Sequence, residues 1–279
     1  MPRAALRPVV TLPLLERRRL ELETCAFCPR LCRSVCPVSN AEPRETLTPW
    51  GKMSAAWKTA RGDVSGPAQG EPAWACTECF ACTGACDHRN PAGEVLVEAR
   101  AALAAGGSAP EGARRVLAKF DRHDASTRAA ARALAAAHPE PVSADTALLV
   151  GCGYLLRAPA EARDALVAAR ALSGGAVGVV ERCCGSPLRL AGDAVRFEAH
   201  ARAVAGELAR YRRVLVVDPG CALTLRKHYA GGAGAAGEVG DRVELLVELA
   251  ARRLGDLAPV AEASAEPVRW HDPCQLGRG

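Results

Sequence analysis

Eight cysteines of this chain stand in two tight runs, Cys25-x2-Cys28-x3-Cys32-x3-Cys36-Pro and Cys76-x2-Cys79-x2-Cys82-x3-Cys86-Asp. Thiols at this density force the backbone to wrap around whatever they hold. The chain has 279 residues and 13 cysteines, and all of the cysteines fall into recognisable groups. A secreted disulfide scaffold would be short and preceded by a signal peptide. Here the N-terminal MPRAALRPVVTLPLLERRR is interrupted by proline and arginine. No apolar run reaches the roughly 18 residues that span a bilayer. The expectation is a cytoplasmic protein whose cysteines are metal ligands or catalytic thiols.

Both runs follow the bacterial ferredoxin spacing C-x2-C-x2-C-x3-C-P, two copies of which bind two 4Fe–4S clusters. A cubane needs one thiolate per iron. Three close cysteines wrap one cube, and the fourth reaches the other cube. Cluster one is therefore assigned to Cys25, Cys28, Cys32 and Cys86, and cluster two to Cys76, Cys79, Cys82 and Cys36. The first run departs by one extra residue between Cys28 and Cys32, which would alter amide contacts to sulfur. The second has Asp87 where proline is usual. Zinc is the competing occupant, since four-cysteine zinc sites also use C-x2-C pairs. Two zinc sites would more often pair C-x2-C units about a longer knuckle, so the tight runs favour cubanes. With fourth ligands exchanged, each half needs the other, and the region should fold poorly without its clusters.

The chain divides by pattern. Residues 11–24 and 92–105 read as helices, the second between Pro91 and Gly106-Gly107. The first 108 residues form an α-helical domain with both runs, and 109–143 is an Ala-rich helical linker ending near Pro139–Asp145. Beyond it the period changes. TALLVGCG, AVGVVERCCG, RVLVVDPGC and EPVRWHDPC read as strands, with helices at 159–175, 194–211 and 241–255 between them. Such alternation predicts an α/β domain on a parallel sheet, so the fold class is multidomain, α followed by α/β.

Five cysteines remain: Cys152, Cys183, Cys184, Cys221 and Cys274. Each stands just past a predicted strand. In an open parallel sheet those ends share one edge, where ligands bind, and several precede a helix whose N-terminus favours thiolate. Buried structural cysteine is the plainer reading of any one of them. Five at the same kind of position argue for a metal or redox site.

The two runs joined through TLTPWGKMS, then GC, RCCGSPLRLAG, PGC and HDPCQLGR, resemble the iron–sulfur oxidoreductases with cysteine-rich CCG domains. These include iron–sulfur subunits of heterodisulfide reductase, anaerobic glycerol-3-phosphate dehydrogenase and glycolate oxidase. The resemblance covers roughly 20–279. It implies a helical two-cluster domain followed by CCG domains, here 144–262 and the start of a second at 263–279, so the sequence is expected to be truncated. It implies an oxidoreductase subunit carrying electrons between a flavin-containing dehydrogenase and a quinone, a disulfide or another carrier. Such a subunit would sit in the cytoplasm, or at the inner membrane face through partners in a quinone-linked complex. It also implies a third iron–sulfur cluster, or catalysis, at Cys152, Cys183, Cys184 and Cys221. The family's fuller motif ends in C-x-x-C, where this chain has Thr224. A non-redox zinc module is the remaining alternative.

Other features carry less. Trp50, Trp57 and Trp74 flank the runs and would shield them from water. His88 lies two residues after Cys86 and His271 three before Cys274; a surface loop and a turn are their plainer roles. There is no Walker loop, and only a fragment of a dinucleotide glycine pattern, so NAD or flavin binding on this chain is not expected. The net charge of +5 is modest, and the basic cluster LERRRLELE is flanked by glutamates, so no nucleic-acid partner is expected.

Overall fold

The computed structural model describes residues 14–28, 31–63, 67–139, 143–229, 239–256, 266–267, 269 and 271–278. The chain forms two compact units. One comprises Met1–Ala118, Pro187–Ala194 and Arg278–Gly279, the other Lys119–Ser186 and Val195–Gly277.

The first unit is helical. Its elements are α1 (Leu14–Ala26), α2 (Pro37–Ala41), α3 (Pro49–Ala60), α4 (Pro67–Trp74), α5 (Ala81–Gly84) and α6 (Ala92–Ala105). Leu22, Met53, Val95, Leu96 and Leu103 pack into one core, with Trp57, Trp74, Cys25, Cys76 and Cys82 against it. Thr48 caps α3 by accepting from the Gly51 amide at 3.0 Å, and Pro49 opens the helix. A Cβ at Gly51 would stand 2.1 Å from the Glu45 carbonyl oxygen, so only glycine lets the Glu45–Leu47 turn lie on α3. TLTPWGKMS is thus a capped helix start pressed against a tight turn.

α7 (Glu111–Ala137) begins in this unit and continues into the second. In the second, its buried residues Phe120, Asp124, Thr127 and Ala131 recur with helical period.

The second unit is α/β. Its strands are β1 (Thr146–Leu149), β2 (Val177–Val179), β3 (Arg213–Val216) and β4 (Val243–Leu245). They form one parallel sheet in the order β2-β1-β3-β4. Its helices include α8 (Cys152–Arg157), α9 (Pro159–Ser173), α11 (Ala194–Leu208), α12 (Pro219–Leu223), α13 (Leu246–Arg252) and α14 (Cys274–Gly277); α10 (Ser186–Ala191) follows the Cys183-Cys184 pair. Leu148, Val150, Leu166, Leu172, Val177 and Leu215 form the core between sheet and helices.

The fourth strand is not where the sequence pattern puts it. It lies at 243–245, inside the stretch expected to be helical. Val243, Glu244 and Leu245 pair with Val214, Leu215 and Val216 of β3. The local 3.6-residue period is real, but a free sheet edge offers hydrogen bonds that override it. Helix resumes at Leu246, where the Glu248 carboxylate accepts the Leu245 amide at 2.9 Å. In the expected strand at 266–274, no described residue is in a strand, while 268 and 270 lie outside the described residues. Pro267 and Pro273 each remove a ladder donor there. Cys274 therefore opens α14, which packs on α12, instead of following a strand.

Candidate metal centres

The first unit gathers its eight thiols into two groups. Cys36, Cys76, Cys79 and Cys82 line a recess of about 370 Å³, its open mouth included, together with Pro49, Lys52 and Phe80. Cys36 stands at the N-cap position of α2, and Pro37 opens that helix, which is the structural role of the proline closing the first run. The loop carrying Cys76, Cys79 and Cys82 turns tightly. Glu78 and Phe80 both adopt left-handed backbone, with φ of 54° and 57°. Such residues cost on the order of 1–3 kcal/mol each and persist where the surroundings hold them. Here Glu78, 5% exposed, pairs with Arg189 through bonds of 2.5 and 2.7 Å, and its amide donates to the Cys76 sulfur at 3.4 Å.

The second group is Cys25, Cys28, Cys32 and Cys86. Burial pushes the Cys25 thiol up to about 12, and the neighbouring Cys32, Cys86 and Cys28 add to it. Asn90, buried, donates to the Cys25 sulfur at 3.0 Å and to the Glu21 carbonyl at 2.7 Å, tying the end of the second run to α1. The inserted position of the first run falls largely on Pro29 and Arg30, which lie outside the described residues.

The chemistry of the first recess fits a bound anion. Lys52 is 2% exposed and its ammonium donates to the Cys36 sulfur at 3.5 Å; no carboxylate pairs with it among the described residues. Arg100, 3% exposed, donates to the carbonyls of Ala73 and Cys76, and burial lowers its pKa while Cys76 opposes that. A buried cation without a counter-charge is costly. A cluster held by four thiolates supplies that counter-charge. Burial alone would raise Cys36, but the Ser39 amide, Lys52 and the Ser39 hydroxyl bring it below its ordinary value. Burial pushes Cys82 up to about 12, with Cys76, Cys32, Cys79 and Cys36 contributing. The four sulfurs line one recess, which places them to share one occupant.

The second unit brings Cys152, Cys183, Cys184 and Cys221 together at the C-terminal edge of its sheet. They form a row with His123 of α7, in the order His123, Cys152, Cys183, Cys184, Cys221, each close enough to the next to shift its ionisation. Gly151 (φ +95°) ends β1, and a Cβ there would stand 3.0 Å from the Asp218 Cβ. That close approach lets Cys152 reach the loop bearing Cys221. Asp218 caps α12 by accepting the Cys221 amide at 2.9 Å. The Cys183-Cys184 turn is pinned on several sides. The Asp124 carboxylate accepts the Cys183 amide at 3.2 Å, His200 Nε2 donates to the Cys183 carbonyl at 2.8 Å, and the buried Tyr229 hydroxyl donates to the Cys184 carbonyl at 2.9 Å. Gly185 (φ +81°) follows, and a Cβ there would come within 2.9 Å of the His200 ring.

All four thiols lie above their ordinary value. Cys152 is raised by its hydrogen bond to Cys183 and by burial, with His123 pulling the other way. In Cys183 the bond with Cys152 lowers the pKa, while the bond with Cys184 and burial outweigh it. Cys184 is lowered by Cys183 but raised further by Cys221 and burial. Cys221 is lowered by Cys184, yet burial and Asp218 carry it to about 11.

Thr224, at the last position of the motif, is 2% exposed, and its hydroxyl donates to the Gly220 carbonyl at 2.7 Å. His88 and His271 are exposed, and Cys274 is half-buried on α14. Trp57 and Trp74 pack against the core that borders Cys25, Cys76 and Cys82. Sequence reasoning missed Lys52, which it treated as part of a connecting segment, and His123, which it left in a linker.

Residues 21–90 match a family model described as the 4Fe-4S dicluster domain. No curated protein and no solved structure matches the chain. With the cysteine groups, the match supports an iron–sulfur protein whose matched segment binds 4Fe–4S. Among the described residues, no helix is long and apolar enough to cross a membrane.

Proposed function

We propose that this chain is the iron–sulfur electron-transfer subunit of an oxidoreductase. Its first unit holds two 4Fe–4S clusters, one on Cys25, Cys28, Cys32 and Cys86, the other on Cys76, Cys79, Cys82 and Cys36. The observation that carries the reading is the recess lined by Cys36 from one run and Cys76, Cys79 and Cys82 from the other, with Lys52 buried in its wall. That is the exchange of fourth ligands expected of a two-cluster ferredoxin domain. Bound clusters supply one-electron steps between a two-electron donor and its acceptor. The protein's own share is to hold the thiolates, exclude water with the Met53, Val95 and Leu96 core, and compensate negative charge with Lys52 and Arg100. The donor in this reading is a flavin-containing dehydrogenase, and the acceptor a quinone, a disulfide or another carrier. The peripheral membrane location would come through those partners.

A second reading is favoured by the row of Cys152, Cys183, Cys184 and Cys221 at the C-terminal edge of the sheet. In it the second unit is itself the site of disulfide or quinone reduction, with or without a third cluster.

Anaerobic iron and sulfide analysis, with EPR of the reduced chain, tests both. About eight irons and two interacting cubane signals are expected. Absence of iron after full cluster assembly overturns the electron-transfer reading. Unchanged turnover after replacing Cys183 and Cys184 by serine overturns the second.

A further inference from the structure

The row in the second unit does not begin with a cysteine. His123 belongs to α7 and is separated from every cysteine motif in sequence. Yet its ring nitrogen and the sulfurs of Cys152 and Cys183 all lie within 4.8 Å of one another. Among the described residues Cys184 and Cys221 fall outside this mutual set, although they continue the row. One nitrogen and two sulfurs at such spacing suit a single borderline-soft divalent cation, Zn²⁺ above all.

The trio is built from three elements and braced behind each. Asp124, next to His123, accepts the Cys183 amide at 3.2 Å, and its carboxylate also faces Arg128 at 3.1 Å and Arg182 at 3.9 Å. This bond sets α7 against the Cys183-Cys184 turn, so the neighbouring His123 meets the Cys183 sulfur. His200 fixes the Cys183 carbonyl from the other side at 2.8 Å. Gly151 places Cys152 at the first position of α8. Bracing of this kind is what orients metal ligands. Cys183 is 1% exposed, whereas His123 and Cys152 are half-buried, so the inner side of the trio is closed and the outer side reaches solvent. Three protein ligands with one side open are the pattern of a metal site that keeps a position for an external ligand.

We propose that His123, Cys152 and Cys183 bind one Zn²⁺-like cation, with the fourth position filled from solvent. The site is independent of the two clusters read in the first unit, because its ligands are drawn wholly from the second, and it excludes a third cluster on Cys152 and Cys183.

The experiment uses the full chain with its clusters assembled. Zinc, iron and acid-labile sulfide are measured together, and Co²⁺ is then titrated as a spectroscopic probe. One Zn²⁺ per chain beyond the cluster iron is expected. Co²⁺ at the site should give thiolate-to-metal charge transfer and the intense visible bands of tetrahedral coordination. His123→Ala and the more conservative His123→Gln should each weaken Zn²⁺ binding at least tenfold and abolish the Co²⁺ spectrum, with iron and sulfide unchanged. Cys221→Ser should retain both metal signals. Three results overturn the proposal: no stoichiometric Zn²⁺ or Co²⁺ in the wild type, a metal content indifferent to His123→Gln, or extra iron and sulfide in place of a single ion. Loss of iron from the wild type would sink the cluster reading alone.

Discussion

The two units gather thiols in the same way, at loops where elements end, but differ in the side chains packed beside the sulfurs. In the first unit Lys52 and Arg100 are buried beside Cys36 and Cys76. In the second, the side chains behind the row are Asp124, Asp218, His200 and Tyr229. Buried cations suit sulfur that carries negative charge in its working state. A carboxylate beside a thiol does the reverse. Burial and Asp218 raise Cys221 to about 11. The difference teaches that cysteine spacing alone does not define a site; the charged side chains packed beside the sulfurs bear on what the thiols can hold.

The most severe way to break this comparison is to remove a shared thiol. Cys36→Ser takes the fourth member from the recess of Cys76, Cys79 and Cys82. Iron should fall by about half or more, from about eight per chain, and far-ultraviolet circular dichroism should show loss of helix. Retention of full iron would refute the exchanged-ligand arrangement. Next in size is Arg189→Leu, which leaves Glu78 buried and unpaired beside Cys76. The pair is almost wholly enclosed, with side chains 11% and 6% exposed, so the cost should be about 3–5 kcal/mol by denaturant unfolding. The left-handed turn at Glu78 would lose its anchor as well.

Lys52→Met sharpens the comparison without dismantling the site. Methionine fills similar space and removes only the charge. The cluster in that recess should keep its iron but become harder to reduce, since the added electron loses a nearby cation. Each 1.4 kcal/mol lost corresponds to about 60 mV in a one-electron potential. A redox titration followed by EPR reads the shift. An unchanged potential would mean that Lys52 does not stabilise the reduced state.

Much of this was legible in the chain. The cysteine spacings marked the thiol groups, and βα alternation marked the α/β unit, because both signals are local. Lys52 was not legible, since lysine usually marks a surface and nothing beside it in sequence announces the recess whose wall it joins. His123 was hidden for a different reason. Its helix is amphipathic, but nothing near it states which partner that face meets; the answer is the Asp124 bond to an amide 59 residues away. β4 was masked by a helical period, and its strand character exists only because β3 offers an edge.

The smallest effect belongs to the exposed counterpart of the Arg189–Glu78 pair. Arg226 meets Glu248 at 2.6 Å, but these side chains are 36% and 35% exposed. The Arg226 hydrogen bond holds the Glu248 carboxyl below its ordinary 4.5, against a raising effect from burial. A depressed carboxyl contributes stability above its unfolded pKa, and that contribution is lost as pH falls through the folded value. Arg226→Met should therefore cost less than about 1 kcal/mol at neutral pH, with solvent and salt screening the pair. The gap between variant and wild type should close as pH drops below about 4.5. Thermal melts of both chains across that range decide it. A gap as large as that of Arg189→Leu would show that burial does not set the strength of these pairs, and the contrast between buried and exposed charge would fail with it.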